Sequence, residues 1–471
     1  MIGATGVTVA DPEPTTSSNR PSTPLTGLAS PATTITFVTL GCRLNQADTD
    51  QMQTQLQAGG WRTVEADAAP DVVVINTCTV TARAELSDRQ AIRRARRANP
   101  SARIVVTGCW AQTSPAEIAA LGGVDLVLGN AGKARLSALL AEPAPGRSAP
   151  RIEVADLGGA RVPPLAPRPH LNGRARAFVK VQDGCQHRCA FCIVPFARGG
   201  SRSLEPAVVE DQVRLLVAGG HPEVVLTGVD LGHYGADLAP RSNLAALLAR
   251  LVQVQGLRWL RLSSLLPAYF SDDVLAILTT SPVIAPHFHV PLQSGSDRVL
   301  RRMRRPYTVA TYRRVIERLA TALPRLGLGA DVIVGFPGET AADFAATRAL
   351  VEALPFSYLH VFPYSERRGT EAARLPGRVD ASTIAGRARA LREVAAAHGR
   401  RFGAALVGRT EDALVLETRE RASGNLVGLT GNFVEVTFAG PDHLRRRFAR
   451  VRVTAAGDDA VQGVLEDSQA A

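Results

Sequence analysis

The chain has 471 residues, of which 45% are hydrophobic and 21% are charged. This length exceeds one ordinary domain and predicts two to four, and no apolar run approaches the roughly 18 residues that a membrane helix needs. The net charge of +11 makes a polyanion a candidate partner, and among the 54 basic residues only Lys133 and Lys180 are lysines.

Residues 1–34 are rich in Pro, Ser, Thr and Ala and have no hydrophobic periodicity. They lack the basic start, the apolar core and the small-residue cleavage site of a signal peptide, so we predict a disordered tail. The protein is therefore expected to be cytoplasmic, with no membrane partner. In that compartment thiols stay reduced and disulfides are disfavoured.

Residues 35–145 alternate strand and helix patterns. The predicted strands are "ITFVTLG", "DVVVINT", "ARIVVTG" and "VDLVLGN", and a helical pattern follows each of them. Repeated βα units with short buried strands are typical of an α/β fold with an open parallel sheet.

A linker rich in Pro and Gly is predicted at residues 146–172, and a second βα series covers residues 173–400. Its six predicted strands favour a partial (β/α) barrel of the TIM type. They are "RAFVKVQ", "EVVLTG", "RWLRLSS", "HFHVPL", "LGADVIVG" and "YLHVFPY". Residues 401–471 show short strands that begin at "AALVG", which predicts a small OB-like β-barrel of a kind that binds nucleic acid.

The six cysteines form two groups of three. Cys42, Cys78 and Cys109 each follow a predicted strand of the first sheet, and because ligands bind outside the carboxyl ends of such strands, we expect them to lie together. The other three follow the first barrel strand, at the end where barrels place their chemistry. They are Cys185, Cys189 and Cys192, in a C-x-x-x-C-x-x-C pattern.

Soft thiolates select zinc or iron–sulfur clusters. We favour two 4Fe–4S clusters, each held by three cysteines, because an open coordination position marks a reactive metal centre. The missing ligand would then be the substrate or a cofactor. Two alternatives stand beside this interpretation: the first trio consists of small buried hydrophobes at strand ends, or the second trio binds zinc with His187 as fourth ligand.

Seven motifs in order carry a family resemblance that covers about residues 35–465. They are "GCRLNQ", "INTCTVT", "VTGCWAQ", "DGCQHRCAFCIVPFARG", "HVPLQSGSDRVLRRMRR", "DVIVGFPGET" and "FPYSERRGTEAA". The cysteine-rich fourth motif resembles the signature of radical S-adenosylmethionine (SAM) enzymes, and the set together resembles the methylthiotransferases. The resemblance implies an amino-terminal domain with an auxiliary cluster, a radical SAM domain and a carboxy-terminal RNA-binding TRAM domain.

The first three motifs look most like the branch that methylthiolates carbon 2 of N6-threonylcarbamoyladenosine next to the anticodon of tRNA. The isopentenyladenosine branch is expected to carry "GCQMN", and the branch acting on a ribosomal-protein aspartate is expected to carry "GCPKN". A non-enzymatic, metal-containing RNA-binding protein is the remaining alternative. The resemblance also implies an electron donor such as flavodoxin or ferredoxin, and the sequence does not identify a sulfur donor.

The resemblance further implies a set of SAM contacts, and it assigns no catalytic residue beyond the cluster ligands. Arg198 is a candidate for the SAM carboxylate, since a guanidinium donates two parallel hydrogen bonds. The other predicted contacts, to the adenine, the ribose and the methionine end, are Phe191, Thr227, Gly228, Ser263, Gln293, Ser294 and Gly335. The chain departs from the family pattern at three leucines, Leu204, Leu265 and Leu266, where charged residues are expected.

Two arginine clusters are predicted to bind tRNA phosphates, which position RNA without reading its sequence. The clusters are Arg301, Arg302, Arg304 and Arg305, and Arg445, Arg446 and Arg447. Phe433 is a further candidate, as an aromatic ring on which a base stacks.

Overall fold

The computed structural model describes residues 33–142, 149–157, 174–458 and 460–466. The predicted tail and most of the predicted linker lie outside these ranges. Within them, no helix combines the length and the apolarity that a bilayer crossing requires.

The amino-terminal region is an open sheet of six parallel strands, as predicted. The strands are β1 (Thr34–Thr39), β2 (Arg62–Thr63), β3 (Val72–Thr77), β4 (Arg103–Gly108), β5 (Leu126–Leu128) and β6 (Arg151–Glu153). Their order in the sheet is β2-β1-β3-β4-β5-β6. The edge strand β6 corrects the linker prediction, because its three residues pair with β5 although they lie among prolines and glycines.

Helices cover both faces of this sheet. They are α1 (Arg43–Ala58), α2 (Ala82–Ala98), α3 (Cys109–Thr113), α4 (Pro115–Ala119) and α5 (Leu136–Ala141). Val72 and Val74 of β3 pack in the core on one face, while Val73 and Ile75 pack in the core on the other. Because parallel sheets are buried on both sides, such strands have continuous apolar runs rather than alternation.

The central region is a partial (β/α) barrel, also as predicted. Its parallel strands are β7 (Arg176–Lys180), β10 (Glu223–Thr227), β11 (Trp259–Leu262), β12 (His287–His289), β13 (Gly327–Val334) and β14 (Tyr358–Pro363), and a short hairpin, β8 (Gln182–Asp183) with β9 (Arg202–Ser203), follows β7. The strands pair in the orders β11-β10-β7 and β12-β13-β14. A parallel bridge from Leu260 to Ile284 joins the two halves.

The barrel helices surround one large aliphatic core. They are α6 (Val194–Arg198), α7 (Pro206–Ala218), α8 (Leu244–Leu251), α9 (Asp272–Thr280), α10 (Asp297–Arg302), α11 (Val309–Ala322), α12 (Ala341–Ala353) and α13 (Ala381–Ala404). Side chains of Asn243, Ser271, Ser296 and Thr340 accept hydrogen bonds from the first turns of their helices, which satisfies amides that have no partner within the helix.

The carboxy-terminal region is a closed five-stranded β-barrel. Its strands are β15 (Thr410–Arg419), β16 (Leu426–Thr430), β17 (Glu435–Phe438), β18 (Phe448–Ala456) and β19 (Val461–Leu465). The prediction of a strand at "AALVG" is wrong, since α13 continues to Ala404 and a turn follows. The turn at residues 431–433 packs on the barrel, where a Cβ atom at Gly327 would lie 1.9 Å from the carbonyl oxygen of Asn432.

Candidate active site

The second cysteine trio lies in the loop between β8 and β9, beyond the carboxyl end of β7. Backbone hydrogen bonds hold this loop: the amide of Cys185 donates to Gly199 and the amide of Cys192 donates to Cys189, both at 3.0 Å. All three cysteines line one cavity of about 740 Å³. The loop therefore presents three thiols to one space.

Charged side chains flank this trio. Arg305 donates to the sulfur of Cys189 at 3.2 Å, and a carboxylate oxygen of Asp230 lies 4.0 Å from the sulfur of Cys185. Burial raises the pKa of Cys185 to about 12 and that of Cys192 to about 11, so the thiolates need a positive charge to form at neutral pH. A metal centre would supply it, as would the guanidinium of Arg305.

The geometry does not favour zinc at either trio. His187 Nε2 already faces the hydroxyl of Tyr269 at 2.8 Å and Asp230 at 3.3 Å. Among the residues that the structure describes, neither trio brings its three sulfurs within 4.8 Å of one another. Zn–S bonds of about 2.3 Å hold tetrahedral ligands closer than that. A four-iron cluster, which binds one cysteine per iron, fits wider spacing.

The first cysteine trio gathers at the carboxyl ends of β1, β3 and β4. Cys42 is the residue before α1, Cys78 follows β3, and Cys109 begins α3. A Cβ atom at Gly41, which has φ of +94°, would lie 2.9 Å from the sulfur of Cys78, so the loops approach closely. Burial raises the pKa of Cys78 to about 12, and the neighbouring Cys109 and Cys42 thiols add to that rise.

A buried charge network lies beside the first trio. Asp48 of α1 accepts from Lys133 at 2.6 Å, from Arg198 at 3.1 Å and from Lys180. These cations hold the pKa of Asp48 well below its usual value despite burial, which alone would raise it. Both lysines of the chain are therefore structural partners of one carboxylate. Sequence reasoning missed this network, although two lysines among so many arginines were a usable signal.

Arg198 requires a correction. Its guanidinium donates to Asp183 at 3.0 Å and to Asn45 at 2.7 Å in addition to Asp48, so it is not free to bind the carboxylate of SAM. It lies on the side of the first trio instead. Burial raises the pKa of Cys109, and the neighbouring Arg198 opposes that rise.

The two trios lie at opposite ends of one short helix. Helix α6 begins two residues after Cys192 and ends at Arg198, whose charge faces the first trio. Helix α3, which begins at Cys109, packs on α6, and the Asn130 side chain donates to the carbonyl of Ala197 at 2.7 Å. The first sheet and the barrel thus hold both sites in one fixed arrangement.

Several predicted SAM contacts have free polar groups. The hydroxyl of Thr227 and the side-chain oxygen of Gln293 are buried and have no hydrogen-bond partner among the described residues. The amide of Gly228 lies 3.4 Å from the hydroxyl of Ser263. Phe191 packs edge-on against Phe336. Because buried polar groups are normally paired, Thr227 and Gln293 fit a polar ligand at the carboxyl ends of the barrel strands.

Two other predicted contacts have structural roles instead. The hydroxyl of Ser294 lies 3.3 Å from that of Thr347 and accepts from the amide of Ser296. A Cβ atom at Gly335 would lie 2.3 Å from Ile384 of α13, so helix packing requires this glycine.

The three leucines that depart from the family pattern are core residues. Leu204 and Leu265 are buried, and Leu266 packs against the same barrel core. The carbonyl of Leu204 accepts from the hydroxyl of Tyr234 at 2.6 Å. Apolar packing therefore replaces the charges expected at these positions.

The first predicted RNA-binding cluster divides between surface and interior. Arg301 is exposed, Arg304 pairs with Glu371, and Arg302 donates to the carbonyls of Pro337 and Pro376. Arg305 turns inward and donates to Cys189, which places its guanidinium beside the second cysteine trio and away from the outer surface.

The second cluster is mostly available to solvent. Arg446 and Arg447 are exposed, while Arg445 pairs with Asp442 at 2.9 Å. Phe433 stacks on His287 of β12, with ring centroids 4.3 Å apart. Its ring lies against the central barrel, so the structure does not support a role in stacking on an RNA base at the outer surface.

Comparisons with known protein families agree with the division of the chain into an amino-terminal sheet and a central barrel. Residues 34–129 match the family described as Uncharacterized protein family UPF0004, and residues 179–351 match the Radical SAM superfamily. The second match implies SAM and a 4Fe–4S cluster as cofactors.

Relatives extend over almost the whole chain. The threonylcarbamoyladenosine tRNA methylthiotransferase MtaB of Bacillus subtilis (strain 168) is 39% identical over 92% of this chain and 97% of that protein. The protein of the same name from Aquifex aeolicus (strain VF5) is 39% identical over 84% and 96%. The tRNA-2-methylthio-N(6)-dimethylallyladenosine synthase of Thermobifida fusca (strain YX) is 35% identical over 89% and 90%.

The central fold also has a solved counterpart. The radical S-adenosylmethionine methyltransferase TsrM from Kitasatospora setae, with cobalamin and a 4Fe–4S cluster bound, aligns with a TM-score of 0.51 over 70% of this chain and 75% of that chain. At 18% identity this likeness shows the fold alone. The relatives above, together with the two cysteine trios, show that this chain belongs to the radical SAM methylthiotransferase family.

Proposed function

We propose that this protein transfers a methylthio group to carbon 2 of N6-threonylcarbamoyladenosine in tRNA, with SAM and two 4Fe–4S clusters as cofactors. The observation that carries the proposal is the pair of cysteine trios at the two ends of α6. One trio serves the radical SAM site and the other serves the sulfur-delivering site. The identity of 39% over 92% of the chain favours the threonylcarbamoyl substrate.

When bound, one SAM with its cluster would supply the radical that removes hydrogen from carbon 2, a second SAM would supply the methyl group, and the auxiliary cluster would supply the sulfur that carries it. Cys185, Cys189 and Cys192 would hold the first cluster. Three thiolates leave one iron of a four-iron cluster without a protein ligand, which is where SAM would bind. The hydroxyl of Thr227 and the side-chain oxygen of Gln293 have no hydrogen-bond partner among the described residues, and they would form hydrogen bonds with polar groups of SAM.

Cys42, Cys78 and Cys109 would hold the auxiliary cluster. Arg198, fixed by Asp48 and Asp183, places a positive charge beside these sulfurs. A charge held in this way stabilises thiolates without any reorganisation during the reaction. The buried lysines keep Asp48 ionised and so keep the arginine in position.

The amino-terminal region also contacts the loop after β14. Arg367 of this loop pairs with Glu85 and donates to Thr79 at 2.9 Å. The amide of Ala82 donates to Ser365 at 3.1 Å. These contacts hold the amino-terminal region against the barrel.

The proposed partners are tRNA and a low-potential electron donor such as a flavodoxin or ferredoxin. Arg301, Arg446 and Arg447 are the exposed arginines of the two predicted clusters that have no ion pair among the described residues. They are the best candidates for phosphate contacts, which depend on charge and not on base sequence.

Nucleoside mass spectrometry of tRNA tests the proposal. We expect tRNA from a strain that lacks this gene to contain N6-threonylcarbamoyladenosine without its 2-methylthio form, and we expect the intact gene to restore that form. A Cys78→Ala gene should fail to restore it. Loss of 2-methylthio-isopentenyladenosine instead, or of a methylthio group on a ribosomal-protein peptide, would contradict the proposed substrate.

A further inference from the structure

Three arginines converge on one aromatic ring inside the central barrel. The guanidinium carbons of Arg43, Arg176 and Arg261 lie 5.5, 5.9 and 5.2 Å from the ring centroid of Phe433. Arg43 lies in α1, Arg176 in β7 and Arg261 in β11, while Phe433 belongs to the terminal barrel. We call these four residues, together with Glu223 of β10, the arginine chamber.

One of the three arginines is fully satisfied. Arg261 donates to Glu223 at 2.8 Å and to the carbonyl of Gly431 at 2.9 Å. Both charged side chains are completely buried. This pair is structural, because it ties β10 and β11 to the turn of the terminal barrel that carries Phe433.

The other two arginines lack full partners. Arg176 approaches Glu223 only to 4.0 Å, beyond hydrogen-bond distance, and one of its terminal nitrogens is buried without a hydrogen bond. Arg43 has no hydrogen bond and no ion pair among the described residues. Arg261 opposes its charge and Glu223 favours it. The chamber therefore has two guanidinium groups in excess of its one carboxylate.

Among the described residues, the other charged groups near the chamber do not form an ion pair with Arg43 or Arg176. Glu417 of β15 lies near enough to Arg176 to favour its charge, but its carboxylate accepts from the amide of Ala175 at 3.1 Å. His287 stacks on Phe433, and burial next to Arg261 and Arg43 lowers its pKa well below the usual value, so it is neutral. The hydroxyl of Tyr358 faces His287 at 2.9 Å. The next carboxylate, Asp331 of β13, lies 3.1 Å from His289 and 3.2 Å from His360 and is thus already engaged.

Arg43 and Arg176 are partly buried. Positive charge that is partly removed from water and lacks a full counterion favours binding of an anion. A planar guanidinium matches a carboxylate in particular, since it can donate two parallel hydrogen bonds to it. A cavity of about 600 Å³ lined by Arg176, Tyr358 and Phe433 adjoins the chamber, between α13 and the terminal barrel.

Arg43 connects the chamber to the first cysteine trio. Arg43 directly follows Cys42, so its side chain begins at the sulfur-delivering site and ends inside the barrel. In adenine, carbon 2 and the N6 substituent lie on opposite sides of N1. A base whose carbon 2 faces the two cysteine trios therefore directs its N6 substituent away from them, and the threonylcarbamoyl group ends in a carboxylate.

We propose that Arg43 and Arg176 bind the carboxylate of the threonylcarbamoyl group and so select this substrate over adenosines with an uncharged N6 substituent. This inference rests on the proposed function. It makes the arginine chamber a specificity site that is separate from the cysteine trios and from the SAM contacts.

The test compares two anticodon stem-loop RNAs that differ only at the carboxylate of the threonylcarbamoyl group. One carries N6-threonylcarbamoyladenosine, and the other carries its carboxamide, which is neutral and nearly the same size. We expect kcat/KM for methylthiolation by the wild-type protein to be about 30- to 100-fold higher for the carboxylate, because hydrogen bonds between charged groups are strong. Arg43→Gln and, separately, Arg176→Gln should reduce this ratio to within about threefold of one.

Arg89→Gln is the matched control. Arg89 also lies over an aromatic ring, that of Trp110, at 4.7 Å, but it is on the outer side of the first sheet and pairs with Glu117. This variant should keep the wild-type ratio. Iron content is measured on every variant, because a variant that fails to fold loses its iron. If a variant fails to fold, the ratio of kcat/KM for the two RNAs with the wild-type protein tests the inference by itself.

The outcomes separate the two proposals. If the wild-type protein methylthiolates the carboxylate and the carboxamide equally well, the proposed function stands and the arginine chamber does not read the carboxylate. A ratio that survives both substitutions would likewise overturn the inference. If the wild-type protein modifies neither stem-loop while cleaving SAM, the proposed function itself fails.

Discussion

The two cysteine trios contain the same number of thiols but are assembled differently. Cys185, Cys189 and Cys192 come from one loop, and short backbone hydrogen bonds shape it. Cys42, Cys78 and Cys109 come from three separate loops, which only the parallel pairing of β1, β3 and β4 brings together. The trio of Cys185, Cys189 and Cys192, the local site, therefore depends on one loop. The trio of Cys42, Cys78 and Cys109, the dispersed site, depends on the whole sheet and on the charges buried beside it.

Removing one cysteine from each trio should have different consequences. Cys192→Ala should abolish formation of 5′-deoxyadenosine from SAM, by more than about 100-fold, since no cluster remains to donate the electron. Cys78→Ala should retain that activity and lose methylthiolation of tRNA. Iron should fall from about eight to about four atoms per chain in both variants. Loss of SAM cleavage in Cys78→Ala would contradict the separate roles of the two trios.

The dispersed site should also depend on its buried charges. Asp48→Asn leaves Lys133, Lys180 and Arg198 without their shared carboxylate, and we expect the free energy of unfolding to fall by about 3 kcal/mol in denaturant titrations. Glu117→Gln, which removes one exposed partner of Arg89, should change it by about 0.5 kcal/mol or less. Equal effects of the two substitutions would show that the Asp48 network does not hold the first sheet to the barrel.

Each cysteine trio has one arginine beside a sulfur, Arg198 at the dispersed site and Arg305 at the local site. Arg305 can be replaced with less disturbance of the surrounding ion pairs. Arg305→Met deletes the hydrogen bond to Cys189, which should lower the reduction potential of that cluster and slow SAM cleavage about tenfold. Arg313→Met, an exposed change on α11, is the control. An unchanged potential in redox titrations monitored by electron paramagnetic resonance would exclude this role for Arg305.

A smaller effect is expected one contact farther from the sulfurs. Tyr269→Phe removes the hydroxyl that joins His187 and Asp230 beside Cys185, and a hydrogen bond of this kind contributes about 1 kcal/mol. We expect SAM cleavage to slow about threefold. Tyr234→Phe removes another buried hydroxyl bond, that to Leu204, and should reduce thermal stability without altering SAM cleavage.

The sequence was sufficient for the architecture and for the grouping of the cysteines. The carboxyl ends of parallel strands meet at one edge, so strand-end positions alone predicted that Cys42, Cys78 and Cys109 lie together. Strand β6 was missed, because three residues among prolines and glycines show no periodicity and gain their order only by pairing with β5. The start of the terminal barrel was misplaced because "AALVG" has the composition of a strand, but it forms the last residue of α13 and the turn that follows.

The assignments of individual arginines were less predictable. Arg198 was assigned to SAM, but the demand of Asp48 and Asp183 for a cation arises only when α1 packs beside the barrel. Arg305 was grouped with its neighbours as a phosphate ligand. A left-handed residue before it, Arg304 with φ of +57°, turns the chain so that Arg305 points inward. Tertiary contacts of this kind leave no pattern in a run of arginines.

Phe433 receives side chains from every folded region of the protein. The aromatic ring belongs to the terminal barrel, Arg43 to helix α1 of the amino-terminal region, and Arg176, Arg261 and His287 to the central barrel. Truncation before the last barrel would therefore remove the ring that the three arginines of the chamber surround. The same holds for chimeras that exchange this module between enzymes: a foreign barrel without the ring would alter which modified bases the catalytic half accepts.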